Sequence, residues 1–211
     1  MILKTEQRVA VFIDTQNMYH SAKHLYGARV NFPGLVEAAV GGRHVIRALA
    51  YVAKSKTGEE QAFFDALTQN GIELKIKDVQ EFASGAKKAD WDVGMTIDAV
   101  GIAPHVDVVI LVTGDGDFCP LVEYLHAHGV ACEVAAFGES TNSRLREIAD
   151  TFLDLSSEPD TFLIRNGRGR RDAEDQGTSD LEEVQPARVK TNRRRGSDEE
   201  GSGLRKIRIT Y

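Results

Sequence analysis

Near the start of the chain, Val9-Ala10-Val11-Phe12-Ile13 is apolar without a break, and Asp14 follows directly. A short unbroken apolar run fits a strand buried on both faces, which is the habit of parallel sheets. The pattern recurs at Val45–Val52, Ile72–Ile76, Val106–Val112 and Ala131–Phe137. Helical spacing fills the gaps. Met18, Ala22 and Leu25 fall at i, i+4 and i+7. Phe63, Ala66 and Leu67 share one stripe, and so do Leu121, Leu125 and His128. Gly71 and Gly129 each stand before a strand, where a helix C-terminal glycine belongs. From Trp91 to Ala99 the apolar residues fit either period. Helix is preferred, because the segment fills the crossover between two parallel strands. The expected fold is α/β, with a central parallel sheet between two helical layers.

Composition changes near Ser156. Residues 1–156 form the expected domain. Residues 157–211 form a charged, Gly- and Ser-rich tail, expected to be disordered because it buries too little apolar surface to offset its ordering entropy. Arg165–Arg171 and Arg193–Arg195 could hold RNA or a protein electrostatically, although acidic residues are interspersed.

The formal net charge is −6, which argues against a simple basic nucleic-acid-binding surface. It does not exclude an enzyme that meets nucleic acid through cations. Cys119 and Cys132 sit in no CxxC and near no His cluster, so neither a disulfide framework nor a zinc site is expected. His20, His24, His105, His126 and His128 show no ligand spacing. There is no signal-peptide core and no apolar run long enough for a membrane span, so the expected location is cytoplasmic. The sequence leaves oligomeric state open, a homo-oligomer included.

The chemical signal is positional. Asp14 follows one expected strand. Asp115 and Asp117 follow another, through Thr113-Gly114. Ligands of open parallel sheets bind outside the carboxyl ends of the strands. Gly114 and Gly116 are expected to permit the tight turn that aims both carboxylates outward. Asn17 can cap the helix after Asp14 or reach the same crevice. Converging carboxylates repel, so they call for a hard divalent cation, Mg²⁺ or Mn²⁺, which a phosphate oxygen can also ligate. A pair of such ions can activate water and stabilise the leaving oxygen of an in-line displacement.

The crossover segment adds Asp90, Asp92 and Asp98. Asp92 falls in the first helical turn, near the crevice, and Asp90 suits an N-cap. Asp98 lies about 9 Å further along the axis and is turned away from Asp92, so helical geometry favours Asp92. Lys87 and Lys88 could contact phosphate. Arg144 and Arg146 could too, near a helix start that Ser140–Ser143 can cap.

Three motifs carry a family resemblance: Val11–Asn17, Lys88–Ala99 and Leu111–Leu121. In order and spacing they resemble the NYN domain family of the PIN-like nuclease superfamily, nearest its LabA-like branch, across about residues 8–155. The resemblance implies a PIN-like fold, an acidic metal site and metal-dependent RNA cleavage. It implies Asp14, Asp92, Asp115 and Asp117 as metal-site residues and Asn17 as a site residue. It also claims Asp98, against the helical argument. Thr113 stands where serine is usual, and Asp90-Trp91 where a glycine-hydrophobic pair is usual. A non-catalytic RNA- or protein-binding adaptor on the same fold is the alternative. A haloacid-dehalogenase-type phosphatase would use Asp115-Gly116-Asp117, but it expects a small hydroxyl residue where Cys119 stands.

Overall fold

The computed structural model describes residues 4–54, 60–78, 80–81, 87–88 and 90–165, with backbone alone at 4, 80–81 and 87–88. Of the expected disordered tail, residues 157–165 are instead ordered, with a short helix (Pro159–Phe162) and a strand (Leu163–Ile164), and residues 166–211, with the basic clusters beyond Arg165, lie outside the described residues. Among the described residues no helix is long and apolar enough to cross a membrane.

The elements run β1 (Arg8–Asp14), α1 (Thr15–Tyr26), β2 (Arg29–Val30), α2 (Phe32–Val40), β3 (His44–Lys54), α3 (Gln61–Gln69) and β4 (Glu73–Asp78). A short hairpin of β5 (Gln80–Glu81) and β6 (Lys87–Lys88) precedes α4 (Asp92–Ile102). Then come β7 (Val108–Val112), α5 (Cys119–Ala127), β8 (Ala131–Ala136), α6 (Ser143–Ile148), β9 (Thr151–Asp154), α7 (Pro159–Phe162) and β10 (Leu163–Ile164).

Six strands form one parallel sheet, in the order β4-β3-β1-β7-β8-β9. The chain winds from β1 outward through β3 to β4, returns past β1 to β7, and winds outward the other way. Right-handed crossovers place the helices of the two halves on opposite faces. The order reverses between β1 and β7, and this is where a crevice opens at the carboxyl ends of the strands. Asp14 ends one of these strands, and Asp115 follows the other.

The core explains the order. Val9–Ile13 of β1 and Val108–Val112 of β7 are buried throughout, as central strands covered on both faces must be. Met18 and Ala22 of α1, Met95 and Ala99 of α4, and Val122 and Leu125 of α5 are also buried. Gly71 and Gly129 take φ of 76° and 75°, the left-handed conformation expected of them.

Two expected strands differ from a doubly buried run. Ile76 is exposed because β4 is the sheet edge. Val45 and Ile46 are exposed because β4 pairs with β3 only from Leu49 onward. The Trp91–Ala99 segment is helical, and the helix continues to Ile102. Packing continues past residue 156. Phe162 and Leu163 are buried, and β10 pairs antiparallel with β2.

Candidate metal centre

Asp14 does two jobs at the end of β1. It is the N-cap of α1, with one carboxylate oxygen accepting the Asn17 N–H at 3.0 Å. Its other oxygen faces the Thr113 hydroxyl at 3.4 Å. Thr113 is fully buried, and its Oγ1 also accepts the Asp115 N–H at 3.2 Å. One hydroxyl thus bridges the two acidic strand ends. Asn17 does not cap α1 with its side chain. Its Oδ1 crosses the crevice and accepts the Gly114 N–H at 2.9 Å.

Asp115 turns the chain after β7. Its carboxylate accepts the Asp117 N–H at 3.0 Å and caps a 3-10 turn over Gly116–Phe118. Gly114 and Gly116 make the turn without a positive φ. Both are needed for close approach. A Cβ on Gly114 would stand 3.1 Å from the Thr141 Cα, and one on Gly116 would stand 2.5 Å from the Asn142 Nδ2. The loop before α6 therefore braces the acidic loop, and the Asn142 N–H donates to the Gly114 carbonyl at 2.9 Å. Asn142, within the expected capping stretch, is the N-cap of α6.

Asp92 enters from the first turn of α4. Asp90 accepts its N–H at 2.9 Å, but the N-cap of α4 is Trp91 rather than the expected Asp90. One carboxylate oxygen from each of Asp92, Asp115 and Asp117 lies within 4.8 Å of the others. Asp92 and Asp115 are half-buried and Asp117 is exposed. Asp14 lines the adjoining cavity of about 210 Å³ together with Gln16, Asn17, Asp90, Trp91, Asp92 and Asp115. Among the described residues, no lysine or arginine lines it.

This crowding of like charge is costly. Burial, assisted by the nearby Asp115 charge, raises the Asp14 pKa to about 6, although the Asn17 N–H and Thr113 hydroxyl oppose the rise. Burial and then Asp90, with Asp115 and Asp14 beyond it, raise Asp92 to about 7. A cluster that resists its own ionisation suits a cation. Its donors are all carboxylate oxygens, as a hard divalent ion prefers.

The other sequence candidates separate from this group. Asp98 accepts the Tyr51 hydroxyl at 2.8 Å and lies 3.4 Å from the Lys75 ammonium, outside the carboxylate cluster. Arg144 ion-pairs with Glu123 at 2.6 Å, and Arg146 lies over the Phe152 ring. The side chains of Lys87 and Lys88 lie outside the described residues. Two side chains that the sequence analysis did not count as site residues belong here. Thr113 could have been noticed as a hydroxyl between two acidic positions. Trp91 lines the cavity, and its placement follows from packing, with Nε1 donating to the Val52 carbonyl at 3.1 Å.

Comparisons with known proteins agree with this architecture. Residues 8–157 match the NYN domain family. The chain is 24% identical over 164 residues to the Low amplitude and bright protein LabA of Synechococcus elongatus, covering 71% of this chain and 84% of that protein. It is 33% identical to a protein of unknown function from Vibrio parahaemolyticus whose crystal structure superposes with a TM-score of 0.70, covering 78% of this chain and all of that one.

Proposed function

The chain belongs to the NYN domain family, and from that premise we propose that it is a divalent-metal-dependent ribonuclease, hydrolysing RNA phosphodiesters at the crevice between β1 and β7. The observation that carries the reading is the convergence of Asp92, Asp115 and Asp117 beside Asp14. The wider PIN-like nuclease superfamily supplies the reaction class.

In this reading Asp92, Asp115 and Asp117 hold Mg²⁺ or Mn²⁺, with Asp14 adding negative charge at the inner wall. The cation supplies water activation and neutralises charge developing on the phosphate. Asn17 has its Oδ1 committed to Gly114, so its Nδ2 is the donor it can offer a phosphate oxygen. Thr113 and Asn17 fix the two strand ends relative to each other, so little reorganisation is needed when substrate arrives. Asp98 acts outside the cluster by holding Tyr51, whose ring meets Trp91 edge-on at 5.4 Å. The carboxylates must ionise to bind the cation, so affinity for the cation rises with pH through the range of about 6 to 7.

The test is cleavage of mixed single-stranded and structured RNA with Mn²⁺, comparing the wild type with Asp14→Asn and Asp115→Asn. Strong activity in the wild type alone supports the proposal. Equal residual activity in all three contradicts it. No cleavage by any of them, with RNA binding intact, supports the non-catalytic adaptor instead.

A further inference from the structure

The six-stranded sheet has two edges, β4 and β9, and they differ in what lies beside them. β9 pairs with β8 on one side, and among the described residues no strand pairs with its other side. Thr151 and Leu153 of β9 turn to the face that carries α2. There a cavity of about 190 Å³ opens between the sheet and the end of that helix. Ala38 and Ala39 of α2 are too short to fill it, and the charged pair on its wall, Arg43 and Glu133, is mutually satisfied. Phe152 turns to the opposite face, under the Arg146 guanidinium of α6. Asp150, just before β9, and Asp154, at its end, share that side with Phe152 by strand alternation. Asp150 also meets the His126 ring, and Glu147 of α6 is exposed nearby in the chain. Arg144 of the same helix is engaged by Glu123. The free edge of β9 thus has an apolar side and an acidic side.

An unpaired edge is a template for another strand, with main-chain hydrogen bonds giving affinity and alternate side chains giving specificity. The chain's own sequence supplies a match. Lys206-Ile207-Arg208-Ile209-Thr210-Tyr211 alternates polar and apolar residues without a break. Strict alternation over this length is the pattern of a half-buried strand. Ile207, Ile209 and Tyr211 belong to one face of such a strand, and Lys206 and Arg208 to the other. Both faces complement β9. The β4 edge has the wrong charge for this segment, because Lys75 and Lys77 stand on it and Glu73 is already engaged by Arg47.

The connection is long enough. α7 packs against α2, and the Asn31 N–H at the start of α2 donates to the Phe162 carbonyl at 2.8 Å. The described chain therefore ends beside the helix that walls the groove. Residues 166–205 separate Arg165 from Lys206. A flexible linker of that length spans on the order of 35 Å, comparable with the diameter of a domain of this size. It holds its far end near the domain at an effective concentration on the order of millimolar.

We propose that Lys206–Tyr211 docks on the free edge of β9 as an added strand, with Ile207 and Ile209 covering the groove beside α2 and Lys206 and Arg208 on the acidic side. The proposal concerns the edge of the sheet and is independent of the reaction at the crevice between β1 and β7.

Hydrogen–deuterium exchange of the full chain tests it, read by mass spectrometry on peptides covering 73–78, 150–155 and 206–211. The expected result is slowed exchange at 150–155 and at 206–211. The latter should exchange at least about tenfold more slowly than the free Lys206–Tyr211 peptide. The protection should be unchanged on dilution and should weaken in high salt. Ile207→Ser combined with Ile209→Ser should remove it from both segments and leave 73–78 as in the wild type. Leu153→Lys, on the groove side, should release 206–211 in the same way. Should that core-facing variant fail to fold, the paired serine variant still decides, because it alters no residue of the domain. Free exchange of 206–211 in the full chain overturns the proposal. So does protection that survives the paired serine substitutions, or that is shared with 73–78 rather than 150–155. Protection that vanishes on dilution overturns it as well, since the occupant of the edge is then a second molecule.

Discussion

The Asn17 Oδ1 accepts the Gly114 N–H at 2.9 Å across the point where the strand order reverses. One side chain from the first turn of α1 thereby fixes the loop that carries Asp115 and Asp117. Gly114 is buried, so Asn17→Ala leaves its N–H without that partner, at a cost of about 1–3 kcal/mol. Denaturant unfolding should show this loss. Mn²⁺ affinity should fall as well, because the acidic loop is no longer held.

The raised carboxyls give a pH dependence of definite sign. Between the ordinary carboxyl range and about pH 6–7, the folded protein holds more protons at Asp14 and Asp92 than the unfolded chain does. Without metal, the contribution of these two groups to stability therefore falls as pH rises from about 4 to 7. The rise of Asp14 from the ordinary carboxyl range to about 6 corresponds to roughly 3 kcal/mol. Asp14→Asn should flatten the slope of stability against pH in thermal melts from pH 4 to 8. Mg²⁺ should raise the wild-type melting temperature more at pH 8 than at pH 5.

Gly114→Ala should weaken the site without altering a carboxylate. The new Cβ meets the Thr141 backbone, which has no rotamer with which to move aside. Gly116→Ala meets the Asn142 amide, a side chain that also caps α6. Calorimetric titration with Mn²⁺ should show weaker binding in both variants. The larger loss should be in Gly114→Ala, because backbone rather than a side chain must shift.

Arg43 offers a contrast away from the site. Its guanidinium pairs with Glu133 through two contacts of 2.9 and 2.7 Å and also donates to the Ala39 and Val40 carbonyls. Both side chains are nearly buried. Arg43→Ala strands Glu133 and should cost about 3–5 kcal/mol in denaturant unfolding. Mn²⁺ affinity of the folded fraction should be unchanged.

The strand ends could be read from sequence because a doubly buried strand has an unbroken apolar signature and the residue after it is the one that emerges. This placed Asp14 and Asp115, and the crossover logic placed Asp92. Asp98 needed tertiary knowledge, since its partners Tyr51 and Lys75 lie on β3 and β4. The glycines were identified as important for a local reason, turn conformation. Their actual role is contact with residues 140–142, which no short window contains. Pro33-Gly34 has the composition of a turn, which hides α2 from a reading by pattern. Asn31 as N-cap with proline in the first turn is the signal that could have found it. The short strands β9 and β10 have too little pattern to stand out. Their places come from pairing with β8 and β2.

The central claim is that Asp92, Asp115 and Asp117 together hold a divalent cation. Calorimetric titration of metal-free protein with Mn²⁺ at pH 8, comparing wild type with Asp115→Asn, tests it most directly. The account predicts saturable binding in the wild type and a loss of at least about tenfold in affinity in the variant, as expected when a carboxylate ligand is removed from a small oxygen site. Equal affinity in both proteins, or no binding by the wild type, would contradict it.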